Sequence, residues 1–377
     1  MGERANHDLR CRTYQRSIRI RFLAGGTRTP SATGSPVDLI LYVFPFQSML
    51  FRCILVFLLG LGSSLRAQQK FADLGDLKLE NGLTIQNCTL GYRTFGKLNP
   101  QRSNAVLVPT WFGGTSQQKA NIANAGNMAD STHFFVIVVD ALGNGVSTSP
   151  SNSKTQPNEQ FPLFTIRDMV KSQYELVTKH LKLNHLYAVM GVSMGGMQSF
   201  QWAVSYPSFM DRVVPIVGTP RQSAYDVLFW NIELRTLERG NYTTEAMKTT
   251  GLIHELNLFT PEYTQKKRSA SEATAYLNQV EKDLSTKNPY DWASQIRAML
   301  TQDVMPGKTL QEAAKQVKAK LLIVVATQDH MVNPAAASEF SGYLKAPLVE
   351  LTSNCGHLAT SCESEKVTSF VRAFYGL

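Results

Sequence analysis

The segment Met190-Gly-Val-Ser-Met-Gly-Gly-Met197 decides how this chain is to be read. A short apolar run, 186–190, leads into it, and a stretch with helical period, 198–206, leads away. Gly-x-Ser-x-Gly between a strand and a helix is the nucleophile elbow. The turn is so tight that any side chain at Gly191 or Gly195 is expected to strike neighbouring backbone. That strain lifts the Ser193 hydroxyl above the carboxyl edge of a sheet. The helix that follows turns the Met194 amide toward any oxyanion formed there.

Outward from the elbow, further short apolar runs lie at 105–109, 134–139, 213–217, 321–326 and 348–351. Segments of helical period separate them, including 166–181, with Met169, Val170, Tyr174, Leu176 and Val177 on one face, and 364–375. Alternation of this kind implies an α/β fold whose mostly parallel sheet has helices on both faces. Before it, apolar residues around Asn81-Gly82 predict a hairpin, with strands near 77–80 and 83–85 and another near 89–94. Between Gly218 and Leu321 no strand-like run occurs, and the helical character there reads as an inserted cap. The expected organisation is a core over 68–218 and 306–377, with a helical cap at 219–305.

A serine nucleophile needs a base. His357 follows the last apolar run in Thr352-Ser-Asn-Cys-Gly-His357, and Asp329 follows the preceding one in Val325-Ala-Thr-Gln-Asp329. Ser, Asp, His is the chain order of an α/β-hydrolase triad, each member on a loop at a strand's carboxyl end. His330 adjoins Asp329 and so points elsewhere if Asp329 faces the site, and His133 precedes its strand at the opposite edge. The loop Pro109-Thr-Trp-Phe-Gly-Gly-Thr115 is expected to supply a second oxyanion donor, from the Trp111 or the Phe112 amide. Phe112 and Arg221 are candidate substrate contacts.

These blocks resemble the homoserine O-acetyltransferase family. Trp111-Phe-Gly-Gly, Asp168-Met-Val-x-x-Gln-x-x-Leu176, and Gly191-Val-Ser-Met-Gly-Gly-Met-Gln198 with Trp202 and Tyr206-Pro207 carry the likeness, which runs from about Asp76 to the carboxyl terminus. The resemblance implies an α/β-hydrolase fold, an acyl-enzyme at Ser193, a triad with Asp329 and His357, and an oxyanion hole from the Trp111 and Met194 amides. It implies no bound cofactor; acyl-CoA would be a co-substrate if the chain is a transferase. Two departures bear on the acceptor. Such transferases carry a cap arginine in a Gly-Leu-x-x-Ala-Arg context, where this chain reads Gly251-Leu-Ile-His-Glu-Leu256. Their Gly-His-Asp becomes Gly356-His357-Leu358. Arg221, Arg235 and Arg239 are the arginines available to substitute. The expectation is an esterase-like relative that passes a small acyl group to water. The alternatives are a true O-acyltransferase and a non-catalytic binding module on the same fold.

The 377 residues, 43% hydrophobic and 18% charged, suffice for one large core. The formal charge of +9 does not indicate a nucleic-acid partner, because residues 1–67 hold nine arginines and supply +6 of it. Beyond them the only basic cluster is Lys266-Lys267-Arg268, which reads as a solvated face. From Met49 the order is one arginine, the apolar run Ile54-Leu-Val-Phe-Leu-Leu59 and small residues ending at Ala67, the pattern of a signal peptide. The expectation is export to the periplasm or medium, with Met49 as the true start and residues 1–67 a disordered extension plus signal. An uncleaved anchor over 37–62 is the alternative. An exported chain can hold a disulfide, and of Cys88, Cys355 and Cys362 the last two are the closer pair. No cysteine spacing resembles a metal site.

Overall fold

The computed structural model describes residues 67–377. The leader expected within residues 1–67 and the candidate start at Met49 therefore fall, but for Ala67, outside the described residues. From Lys70 the chain forms a nine-stranded sheet. Its strands are β1 (Lys70–Lys78), β2 (Thr84–Phe95), β3 (Ala105–Pro109), β4 (Phe135–Val139), β5 (Leu186–Val192), β6 (Met210–Ile216), β7 (Lys320–Leu321), β8 (Ile323–Ala326) and β9 (Leu348–Leu351). The spatial order is β1-β2-β4-β3-β5-β6-β8-β9, with β7 beside β6. Only the β1–β2 and β2–β4 pairings are antiparallel; the others run parallel.

The helices are α1 (Ile166–Glu175), α2 (Met194–Ser205), α3 (Ala224–Arg239), α4 (Thr244–Leu258), α5 (Pro261–Lys267), α6 (Ala270–Leu284), α7 (Pro289–Leu300), α8 (Leu310–Ala314), α9 (Ala335–Leu344), α10 (Ala359–Cys362) and α11 (Ser364–Tyr375). The strands β3, β4 and β8 are apolar throughout because both faces are covered. Ala105 and Leu107 of β3 pack into one apolar layer with Met169 of α1, Phe200 and Trp202 of α2 and Phe340 of α9. Val106 and Val108 face the opposite layer, with Val367, Val371 and Tyr375 of α11. The two-residue period of a strand divides the side chains between the layers.

Three details depart from the strand and helix reading. The predicted strands at 83–85 and 89–94 are one strand, β2, whose pairing with β1 shifts register around Gly75. Asn87 takes φ +50° there, and such a bulge breaks the alternation by which a strand is recognised. The segment 166–181 is α-helical only to Glu175 and then widens into a π-helical turn, Leu176–His180. The run 321–326 breaks at Leu322, whose amide bonds the Val213 carbonyl at 3.1 Å.

Helices α3 to α7 all lie between β6 and β7. The two ends of this insertion are tied to each other. The Gln222 amide bonds the Gln302 carbonyl at 3.1 Å, and the Val304 amide bonds that of Pro220 at 3.0 Å. A side chain caps the start of each of α3 to α7. Ser223 and Asp226 form a capping box on α3, Thr243 caps α4, and Asn288 caps α7 with Pro289 at its first position.

Candidate active site

Ser193 occupies the junction of β5 and α2 with φ +58° and ψ −122°. A non-glycine residue held there stores about 1–3 kcal/mol of strain. Neighbouring backbone imposes the conformation. The Ser193 amide bonds the Ile216 carbonyl at 2.9 Å, and its own carbonyl accepts from the Met197 amide at 3.0 Å. A Cβ on Gly191 would lie 2.2 Å from the Gly195 carbonyl oxygen, and one on Gly195 would lie 2.6 Å from that of Pro109. Both contacts are with backbone, which cannot rotate away. Gly191→Ala is therefore expected to destabilise the fold by about 3 kcal/mol or more, an overpacking effect at the upper end of its range. Urea unfolding checks it; a midpoint equal to wild type would show that the elbow can relax.

Below the elbow, the sequence blocks at Gln173, Gln198 and Trp202 form one buried network. The Trp202 indole donates to Gln173 Oε1 at 2.8 Å, and Gln173 Nε2 donates to Gln198 Oε1 at 2.5 Å. Gln198 Nε2 lies 3.1 Å from the carbonyls of both Thr110 and Met194. This ties α1, α2 and the loop after β3 together, so the three blocks share a physical role. They fix the serine turn against the Trp111 loop. On the loop's far side the buried Asp140 accepts from the Ser116 amide at 2.6 Å and its hydroxyl at 2.7 Å.

His357 stands on a short turn, Gly356–Leu358, beyond β9. Its Nε2 lies 2.8 Å from Ser193 Oγ and its Nδ1 lies 2.6 Å from Asp329 Oδ2. Asp329 Oδ1 accepts the Met331 and Val332 amides at 2.8 and 2.9 Å, so both carboxylate oxygens are committed. All three residues are buried, at 8%, 5% and 7% exposure for Ser193, His357 and Asp329. The alternative histidines are elsewhere. His330 is exposed, and His133 bonds Thr132 ahead of β4. The helical insertion braces both loops. Asp226 of α3 accepts the Asn333 amide at 2.8 Å just past Asp329, and burial pushes its carboxyl above the usual range. Thr260, ahead of α5, donates to the Asn354 carbonyl beside the histidine.

A disulfide between Cys355 and Cys362 closes the loop that carries His357, while Cys88 is a buried free thiol. Burial raises the Cys88 thiol to about 12, so it is inert as a nucleophile. Closing so short a loop contributes about 2.5 kcal/mol on the chain-entropy account. Reduction under native conditions is expected to lower ester turnover several-fold, because the imidazole gains freedom, and to lower the unfolding midpoint. Thiol titration alongside an activity assay tests this; full activity with both thiols free would show that the clamp is not needed.

Ser193, His357, Trp111 and Phe112 line one cavity of about 890 Å³. Phe112 packs edge-on to Trp292 at 4.5 Å and against Trp230 at 5.4 Å, both from the insertion. The Gly113 amide is taken by Gln295 Oε1 at 2.8 Å, whereas the Trp111 and Phe112 amides have no partner among the described residues. Arg221 is a correction. Its guanidinium grips Asp303 through Nε and Nη2 at 2.9 and 3.0 Å in the neck of the insertion, and it does not line the cavity. Arg235 and Arg239 do not line it either. Two lining groups escaped the sequence reading. His254 bonds the fully buried Glu233 at 3.0 Å, and Lys119 lies over the Trp111 ring at 4.9 Å. No group of metal-ligating side chains occurs among the described residues.

Residues 106–360 match the α/β-hydrolase fold family. The chain is 36% identical over 196 residues to an ethyl acetate hydrolase of Pseudomonas veronii, covering 50% of this chain and 56% of that protein. It is 31% identical over 348 residues to a homoserine O-acetyltransferase of Geotalea uraniireducens, covering 79% and 94%. Among solved structures, the acetyl esterase MekB superposes with a TM-score of 0.76 at 25% identity, over 83% of this chain and 98% of that one. The chain therefore belongs to the α/β-hydrolase fold family and, within it, to the homoserine O-acetyltransferase family, whose relatives include esterases. It spans 56% of the length of the ethyl acetate hydrolase it matches.

Proposed function

We propose that the protein transfers small acyl groups through an acyl-enzyme at Ser193 and passes them to water. One observation carries this reading: the unbroken path from Ser193 Oγ through both nitrogens of His357 to Asp329 at the floor of a cavity. His357 Nε2 takes the hydroxyl proton as Oγ attacks the acyl carbon. Asp329 holds Nδ1 protonated and stabilises the imidazolium. The Met194 amide, at the positive end of α2, and the Trp111 amide receive the oxyanion. His357 then returns its proton to the leaving alkoxide and activates the water that frees Ser193. A non-catalytic binding module would have no use for this strained, fully bonded arrangement.

Water as acceptor is supported by the likeness to the ethyl acetate hydrolase and the acetyl esterase. It is supported too by the cap. Leu256, where the resembling transferases place a carboxylate-binding arginine, is 79% exposed. The second reading, transfer from acyl-CoA to a hydroxyl, is favoured by the 94% coverage of a homoserine O-acetyltransferase. Acetyl-CoA supplied with homoserine separates the two. Hydrolysis of short nitrophenyl esters, without homoserine-dependent release of free thiol, is the expected result. Thiol release that requires homoserine would overturn it.

Export through the leader ending at Ala67 is proposed with this function. The order of arginine, apolar run and small residues supports it, as does a disulfide that cytosolic reductants would open. No helix among the described residues is long and apolar enough to cross a membrane. N-terminal sequencing of the mature protein is expected to begin at Gln68; a start upstream of residue 60 would contradict cleavage.

A further inference from the structure

We propose that Lys119 is the receptor for a carboxylate carried by the substrate, so that the preferred esters are those that keep a free, ionised carboxyl group on their acyl or their alcohol half. This rests on the acyl-transfer reading and names its substrate class. Lys119 is only 8% exposed, yet it lines the same cavity as Ser193 and His357. Its ammonium lies 4.9 Å from the centre of the Trp111 ring, and among the described residues it has neither a hydrogen-bond acceptor nor a carboxylate within ion-pairing reach. The nitrogen is not among the fully enclosed unpartnered atoms, and the residue lines the cavity.

A buried charge without a counter-ion is costly. The indole face offsets part of that cost through cation–π attraction. Burial lowers the ammonium to about 8, and no nearby carboxylate holds it up. The other charged lining groups are accounted for. Arg372 is paired with Asp130 at 3.0 Å, His254 is bonded to Glu233, and Glu365 is exposed on α11. Lys119 is thus the lining cation left without an anion, beside the loop that carries the Trp111 amide.

The arrangement suits a carboxylate better than a phosphate. One ammonium balances one charge. The guanidinium that phosphates usually recruit is not free here, because Arg372, which lines the cavity, is held by Asp130 at 3.0 Å, and the Gly113 amide of the neighbouring loop is taken by Gln295. Lys119 also accounts for a binding function without the cap arginine, since it brings a positive charge into the cavity from the segment after β3.

The test compares matched ester pairs: 2-acetoxypropanoate with its methyl ester, and 4-nitrophenyl hemiglutarate with 4-nitrophenyl butyrate. The readout is the ratio of kcat/KM within a pair, which cancels any general loss of folded enzyme. Wild type is expected to favour the charged member of at least one pair by about tenfold, chiefly through KM. Lys119→Met is expected to bring that ratio near one, and Lys119→Arg to keep most of it. Wild type preferring the neutral member of both pairs would overturn the proposal, as would a Lys119→Met ratio equal to wild type. Inorganic phosphate and ADP are assayed as inhibitors. Lys119-dependent inhibition by them, with no preference for charged esters, would reassign the anion to a phosphorylated donor and overturn the carboxylate assignment. Calorimetry of Ser193→Ala with 2-acetoxypropanoate keeps the two readings apart. Binding lost on adding Lys119→Met upholds the anion site even if no ester is turned over.

Discussion

Ser193→Ala is expected to lower kcat on short acyl esters by on the order of 10⁶ while leaving the fold and ester binding in place. The size follows from the arrangement. The hydroxyl lies 2.8 Å from the imidazole that takes its proton. With the oxygen gone, His357 has no nucleophile to activate, and what rate remains comes from the oxyanion donors and from binding alone. Alanine leaves the backbone bonds to Ile216 and from Met197 intact, so thermal unfolding should change little. Steady-state assay of both proteins with nitrophenyl acetate makes the comparison. Retention of more than one part in a thousand of wild-type turnover would place the nucleophile elsewhere.

Asp329→Asn is expected to cost about 10⁴ in kcat, and the reason is the direction of a hydrogen bond rather than its loss. Asp329 Oδ1 already accepts two amides, from Met331 and Val332. An asparagine must keep its carbonyl oxygen on that side and turn its amino group toward His357. Facing a donor, Nδ1 becomes the acceptor, and the proton moves to Nε2. The imidazole then offers Ser193 a donor where a base is required. The geometry survives while the chemistry is inverted, so the loss should appear in kcat with substrate affinity largely kept. A kcat within tenfold of wild type would mean that the carboxylate does not set the tautomer.

Much of the core of this protein was legible because its requirements are local. Gly191 and Gly195 are demanded by backbone atoms less than 3 Å from where a side chain would start. A steric rule of that kind leaves its mark within five residues. The β-α alternation was legible because strands buried on both faces must be apolar throughout. His357 and Asp329 were found by chain order, each just past an apolar run, and the structure bonds His357 to Ser193 and Asp329 to His357.

What the sequence hid depends on partners far along the chain. Arg221 looked available for a substrate because Asp303, which occupies it, lies 82 residues away. Lys119 reads as one more solvated lysine in a polar loop, and only the fold around Trp111 reveals it as enclosed. His254 gave no sign of its carboxylate for the same reason: Glu233 lies 21 residues back and on another helix. The bulge in β2 was missed because Asn87, polar and left-handed, interrupts the pattern that defines a strand.

On the proposed mechanism a mid-chain serine is made nucleophilic by an imidazole from near the carboxyl terminus. A fluorophosphonate reports on that alone, because it reacts irreversibly with an activated serine and needs no knowledge of substrate or acceptor. Intact-mass and peptide analysis are expected to show one adduct, on Ser193. Labelling should be absent in Ser193→Ala and slowed at least about a thousandfold in His357→Gln. An unlabelled wild-type protein, an adduct on another residue, or a His357→Gln variant that labels at the wild-type rate would contradict the account.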